Sequence, residues 1–253
     1  MYALITGATS GIGKEITKIL ANVGYDLILV GRRQERLDYM EKYFSKKYGT
    51  HVITYSYDLS EPENSYKLFE NTKELEIDVV VNAAGFGKVG YATDSSLEDD
   101  VDMINTNITS LHILTKLFAG HMYSGHILNV ASIAAFQPGP FLATYSATKS
   151  YVLSYSLAMN YELRRLGKDV KITTLCPGPV KTEFDDVAGT NFNLKSISAK
   201  ECAFLAVCKM FEGRSVVIPS LKIKLARIAS KLAPNKLILP VEFFIQTSKM
   251  KNE

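Results

Sequence analysis

A chain of 253 residues accommodates one large domain or two small ones, and is ample for a sizeable core, since a domain of this size buries roughly 70–75% of its unfolded surface. Its 47% hydrophobic and 22% charged content is that of an ordinary globular protein, and 29 basic against 26 acidic residues argue against nucleic acid as a partner. Three cysteines without CxxC spacing (Cys176, Cys202, Cys208) speak against a disulfide framework or a zinc site, no apolar run reaches the roughly 18 residues of a bilayer span, and no signal-peptide pattern opens the chain, so a cytoplasmic location is expected.

In chain order, short apolar runs alternate with helical patterns. The expected strands are Tyr2–Thr6, Asp26–Val30, Val52–Tyr57, Ile77–Asn82, His126–Ala131, Lys171–Cys176 and Ser215–Ile218. Most are continuously apolar, as strands buried on both faces of a parallel sheet are. Between the first two, Ile12, Ile16, Ile19, Leu20 and Val23 recur at helical spacing, and Gly24 ends the helix. This repetition predicts a doubly wound α/β sheet of about seven parallel strands, with right-handed crossovers and helices on both faces. No composition break, low-complexity stretch or sequence repeat divides the chain. The longest irregular stretch, about 183–197, follows the sixth strand, on the edge where such sheets bind ligands.

The segment Thr6-Gly7-Ala8-Thr9-Ser10-Gly11-Ile12-Gly13 follows the first strand and opens the first helix. Glycines there let the backbone turn tightly and approach a pyrophosphate, whose charge a helix N-terminus favours. Tight turns use glycine for steric reasons alone, but the flanking strand and helix favour nucleotide binding. The second strand ends in Val30-Gly31-Arg32-Arg33, where NAD sites usually carry an acidic residue for the ribose 2′-hydroxyl. Guanidinium groups suit a 2′-phosphate instead, which points to NADP(H). Position favours that role for Arg32. For Arg33, phosphate contact and the start of a solvated helix with Gln34, Glu35 and Arg36 both stand open.

Further motifs follow in order: Asp58-Leu59, Asn82-Ala83-Ala84-Gly85, Asn107, Ser132, Tyr145-x-x-x-Lys149 and Pro177-Gly178-Pro179-Val180-x-Thr182. With the glycine pattern Thr6-Gly7 … Gly11-Ile12-Gly13, this ordered set resembles the short-chain dehydrogenase/reductase family in its compact single-domain branch, over about residues 2–220. The resemblance implies a Rossmann-type domain that binds cofactor and catalyses in one unit, an NADP(H)-dependent oxidoreductase and a homodimer or homotetramer. It implies that Gly7, Thr9, Ser10, Gly11, Ile12 and Gly13 cradle the pyrophosphate. Asp58 and Leu59 would flank the adenine, and Asn82, Ala83 and Gly85 the adenosine side. Pro177, Gly178, Val180 and Thr182 would hold the nicotinamide end. Asn82-Ala83-Ala84-Gly85 also reads as a strand-ending turn, so Asn82 is partly structural in this reading.

The chemistry has its own logic. Hydride transfer to a carbonyl builds negative charge on its oxygen, which must then receive a proton. Tyr145 can donate it, and Lys149, one helical turn on, is expected to lower the tyrosine pKa through its ammonium. The resemblance adds that the lysine binds the nicotinamide ribose and that Asn107, rather than Asn105, completes a proton relay. Ser132, closing the fifth strand, is placed to polarise the substrate oxygen. Each feature has a bland counterpart: an amphipathic tyrosine–lysine helix face, or a serine cap. The expected reaction is reduction of a ketone or aldehyde, with oxidation of a secondary alcohol and a cofactor-sensing binding protein as alternatives. The four histidines show no metal-ligand spacing, and no GxSxG elbow supports a hydrolase.

The substrate end is expected among Phe86-Gly87, Ala134 to Phe141 with Gln137 as its notable polar group, and the 183–197 loop with Phe184 and Phe192. Phe136, Phe141, Phe184 and Phe192 suggest an apolar pocket, and the substrate is a small carbonyl or alcohol, apolar or acyl in one reading. Residues 221–253 form an extension of the same domain that carries seven basic residues against Glu242 and Glu253. Leu221, Leu225, Ile228 and Leu232 share one helical face, while Lys224, Arg227 and Lys231 lie elsewhere. Packing on the cleft or a partner subunit is preferred to peripheral membrane contact through 221–250. Pro234 and Pro240 are expected to interrupt before Val241-Glu242-Phe243-Phe244-Ile245.

Overall fold

The structure, a computed structural model, describes residues 1–183, 197–220 and 234–250. Its central sheet has seven parallel strands: β1 (Tyr2–Thr6), β2 (Asp26–Gly31), β3 (Val52–Ser56), β4 (Ile77–Asn82), β5 (Ser124–Val130), β6 (Asp169–Leu175) and β9 (Val216–Val217), ordered β3-β2-β1-β4-β5-β6-β9. A separate two-stranded ladder pairs β7 (Val180–Lys181) with β8 (Ile197–Ser198). The helices are α1 (Gly11–Asn22), α2 (Gln34–Tyr48), α3 (Pro62–Thr72), α4 (Leu97–Ile104), α5 (Leu111–His121), α6 (Ala143–Arg165), α7 (Ala199–Phe211) and α8 (Asn235–Met250).

The continuous apolar runs have a direct cause. Alternate residues of each strand point to opposite faces, and both faces are covered. Ala3, Ile5, Leu27, Leu29, Val79 and Val81 belong to the cluster containing Ile16 and Leu20 of α1, Leu37 of α2 and Ala206 of α7. Leu4, Ile28, Val30, Val80 and Ile127 pack with Leu68 of α3, Leu114 and Phe118 of α5 and Leu163 of α6. Only a strand apolar at every position satisfies both layers.

Chain order reverses between β1 and β4, which pair in register Thr6↔Asn82 at their carboxyl ends. In open α/β sheets a crevice opens at such a switch point. Here α1 begins directly above it, with Ser10 as its N-cap and no side-chain hydrogen bond from that cap. The first backbone N–H groups of the helix therefore point into the crevice without a capping side chain.

Two features depart from the sequence reading. A π-helical turn (Asn105–Ser110) joins α4 to α5. Such widened turns recur at functional sites, and this one carries Asn107 inward. Pro240 does not break the chain, because α8 runs through it. A proline inside a helix costs about 3 kcal/mol, but residues beyond it are held by tertiary contact: Phe243 packs on Phe141 with ring centroids 5.0 Å apart, and Glu242 accepts a hydrogen bond from Gln137. The expected amphipathic face of Leu221, Leu225, Ile228 and Leu232, and the aromatics Phe184 and Phe192, lie outside the described residues. No described helix is long and apolar enough to cross a membrane.

Candidate active site

A cleft of about 530 Å³ runs along the carboxyl edge of the sheet over the β1/β4 switch point. Its floor at one end is the glycine turn, where Gly7 has φ +65° and a Cβ would lie 2.8 Å from the backbone of Ala83 and Ala84. Only glycine lets these two turns touch. Gly7, Thr9, Ser10, Gly11, Ile12 and Gly13 all line the cleft, together with Ala83 and Gly85 from the end of β4. This donor set is that of an anion site: glycine backbone at van der Waals distance, a helix N-terminus without a cap bond, and arginines beyond it.

Those arginines stand at the end of β2. Arg32 is 70% exposed, with Nη1 3.7 Å from Oδ2 of Asp58, so it is loosely held. Arg33 donates to Glu183 at 2.8 Å and to the Thr9 hydroxyl at 3.2 Å, while Arg36 donates to the same carboxylate at 2.6 Å. Glu183 thus clasps two guanidinium groups beside the glycine turn, and they hold its carboxyl below the usual range. Arg33 is therefore no mere solvated helix start. Asp58 and Leu59 line the cleft next to Arg32.

At the other end stand Ser132, Tyr145 and Lys149, each at most 9% exposed. Ser132 follows β5 and caps a short 3₁₀ turn (Ile133–Phe136), its hydroxyl accepting from the Ala134 N–H at 3.2 Å. The cap reading and the cleft reading of this serine hold together. Tyr145 and Ser132 share a side-chain hydrogen bond. Lys149, one turn further along α6, donates to the Val130 carbonyl at 3.0 Å, and its Nζ lies 5.7 Å from the centre of the Tyr145 ring.

The electrostatics run against the expectation of a lowered tyrosine pKa. Burial pushes the Tyr145 phenol up to about 12, with a smaller opposing pull from Ser132. Burial also draws Lys149 down to about 8. A site closed enough to strip water from both groups penalises both charged forms.

A family model described as short chain dehydrogenase matches residues 1–191. The chain belongs to that family. An uncharacterized oxidoreductase of Staphylococcus epidermidis is 32% identical over 88% of this chain and 96% of its own length. A very-long-chain 3-oxoacyl-CoA reductase of Phaeosphaeria nodorum is 35% identical over 67% of this chain and 52% of its own length. Among solved structures, a short-chain dehydrogenase of Sphingobium yanoikuyae in complex with NADPH superposes with TM-score 0.83 at 28% identity, covering 94% of each chain. A Burkholderia phymatum family member in complex with NAD gives 0.81 at 25% identity over 89% of this chain and 91% of that one. The chain is thus an oxidoreductase of the short-chain dehydrogenase family.

Two of the residues singled out in the sequence sit behind the family's cleft, not in it. Asn82 donates to Asn129 at 2.9 Å and Thr115 at 3.1 Å in a buried network under the sheet edge. Asn107 is fully buried, accepting from the Phe86 N–H at 3.0 Å and donating to the Phe86 carbonyl at 2.9 Å and the Thr148 hydroxyl at 3.1 Å. It thereby fixes the chain just after Gly85. Pro177, Gly178, Val180 and Thr182 line the cleft between its two ends. Sequence reasoning missed Glu183, Arg36, Ser146, Glu242 and Gln246. Glu183 directly follows the Thr182 motif, yet its partners are 147 and 150 residues away. Glu242, 105 residues from Gln137, had no local signal at all.

Proposed function

We propose that this chain is an NADP(H)-dependent reductase of a ketone or aldehyde, with Tyr145 as the proton donor. The observation that carries the reading is the convergence of Ser132, Tyr145 and Lys149 at one end of a cleft whose other end combines a glycine anion cradle with Arg32, Arg33 and Arg36. Backbone of the Gly7–Gly13 turn would hold a pyrophosphate, and Arg32 is the guanidinium freest to take a 2′-phosphate. NADPH in the Sphingobium relative and NAD in the Burkholderia one make the arginines, not the fold, the argument for the phosphate.

A bound nicotinamide supplies the hydride; the rest falls to this chain's own groups. Ser132 Oγ and Tyr145 Oη hold the substrate oxygen between them and stabilise the negative charge that develops there. A phenol whose pKa is pushed up to about 12 stays protonated at neutral pH, so Tyr145 serves as a donor rather than a base. Lys149, held by Val130, places positive charge beside the phenol and eases release of its proton. A sensor protein would have no use for this buried proton donor.

The test is NADPH consumption against a chain-length series of ketones, aldehydes and 3-oxoacyl thioesters, with Tyr145→Phe beside wild type. The variant is expected to keep nucleotide affinity within a few-fold and to lose turnover by at least ~100-fold, the usual scale of a lost general acid. Near-normal turnover in Tyr145→Phe would remove it as the proton donor.

A further inference from the structure

We infer that α8 docks on an anionic lipid surface through its outward face, so that the cleft lies beside the bilayer. The inference does not depend on which carbonyl is reduced.

The sequence alone favours packing of the tail on the cleft over contact with lipid. In the structure α8 packs on the cleft with one face and leaves an apolar face opposite it in water. From Leu237 to Ile245 the helix is apolar at every position except Glu242. A helix apolar nearly all round is normally covered on all sides. One side of α8 is covered: Glu242, Ile245 and Gln246 line the cleft, Glu242 accepts from Gln137, and the Phe243 ring lies 5.0 Å from that of Phe141. The other side carries Leu237, Val241 and Phe244, 64%, 58% and 73% exposed, with exposed Pro240 beside them. These three stand at i, i+4 and i+7, the spacing that puts a continuous stripe on one face. That spacing ordinarily faces a core. A contiguous apolar stripe left in water marks a surface that meets something else.

Charge selects the occupant. Glu242 is the sole acidic residue of α8, and it is turned into the cleft, away from the stripe. Lys236 stands exposed next to Leu237. In the sequence just before α8, Lys222, Lys224, Arg227 and Lys231 follow one another without an acidic residue between them. Lys231 is tied to the start of the helix by four residues of chain. An apolar stripe with basic groups at its margin matches a lipid surface, which offers acyl chains below a layer of phosphates. A second copy fits worse, because stripe against stripe would bring two tails together, each with seven basic residues against Glu242 and Glu253. Since α8 is one helix thick, about 10 Å, docking on its outer face sets the cleft wall within that distance of the lipid.

The experiment is flotation of the full chain with vesicles of phosphatidylcholine, alone or with about 30% phosphatidylserine. Wild type is expected to partition at least ~10-fold more strongly onto the anionic vesicles, since each basic group near such a surface contributes about fivefold. Val241→Ser/Phe244→Ser removes apolar area without changing charge and should weaken binding by at least ~10-fold. Its Tm and its NADPH Kd should stay at the wild-type values, because both side chains stand mainly in solvent. Lys231→Gln/Lys236→Gln should lose most of the preference for phosphatidylserine. Tyr123→Ser serves as the control, being 92% exposed just before β5 at the opposite edge of the sheet, and should float like wild type. Wild type that floats with neither vesicle, or equally with both, overturns the inference. So does a Val241→Ser/Phe244→Ser variant that floats like wild type. A variant that floats unchanged but sediments as a smaller species than wild type assigns the stripe to a second copy instead.

Discussion

Gly85→Ala probes how tightly the end of the cleft around Lys149 is framed. An added Cβ would lie 2.8 Å from Asn107 Oδ1 and 3.3 Å from Lys149 Nζ. No positive φ is involved, so the effect is steric. A side-chain end can ordinarily step aside, but Asn107 is locked by two hydrogen bonds to the Phe86 backbone and one to Thr148, and Lys149 by the Val130 carbonyl. Ordinary contact between a methyl and an oxygen needs roughly half an ångström more, which breaks or bends at least the Phe86 N–H bond. Leaving that donor unsatisfied costs about 1–3 kcal/mol, or roughly 2–10 °C in Tm for a chain of this size. A shift of this order in Lys149 or Phe86 should also lower kcat by about 10- to 100-fold, since misplacement near 1 Å costs about two decades. Gly90, with nothing within 4 Å of a built Cβ, provides the control. Thermal unfolding and steady-state kinetics of Gly85→Ala and Gly90→Ala would be run together. If Gly85→Ala matches Gly90→Ala in both Tm and kcat, the framing argument is wrong.

Arg32→Asp should weaken NADPH by ten-fold or more while leaving NADH nearly unchanged, a scale of about 1.4 kcal/mol for one charge-assisted contact; equal losses measured by fluorescence titration would remove Arg32 from the 2′-phosphate. Glu183→Gln frees Arg33 and Arg36 from a shared carboxylate, so the NADPH/NADH affinity ratio should rise by a few-fold, and an unchanged ratio would show that the clasp does not compete with phosphate. Lys149 has its pKa lowered from 10.5 to about 8 on folding, so between those values the unfolded chain binds more protons and stability rises with pH. Tyr145 opposes this only above 10, where the unfolded phenol ionises first. Urea unfolding without nucleotide at pH 7.5 and 9.5 should therefore show a gain that Lys149→Met abolishes, and parallel pH profiles for the two proteins would contradict the buried-ammonium assignment.

The legibility of this chain in its sequence divides along a physical line. The sheet was readable because strands covered on both faces must be apolar at every position, and Tyr2–Thr6 and Ile77–Asn82 begin and end where that pattern does. The glycine cradle was readable because close backbone approach restricts residue type locally. Tyr145 and Lys149 were readable because a helix places residues four apart on one face. None of these depends on distant partners. The direction of the tyrosine pKa did, because it is set by how completely the fold excludes water around residues 145 and 149.

The sequence by itself determined the parallel sheet, the cleft at its switch point and the placing of Ser132, Tyr145 and Lys149 along it, since each follows from local periodicity or a short motif. Tertiary structure alone decided that Asn82 and Asn107 stand behind the cleft, that Glu183 reaches back across it to Arg33 and Arg36, and that α8 continues through Pro240 to set Glu242 against Gln137. Those outcomes depend on which side chains meet across more than a hundred residues of chain, or on which way a buried amide turns. Such choices are made by packing and by the need to pair every buried polar group, and no local stretch of sequence encodes them.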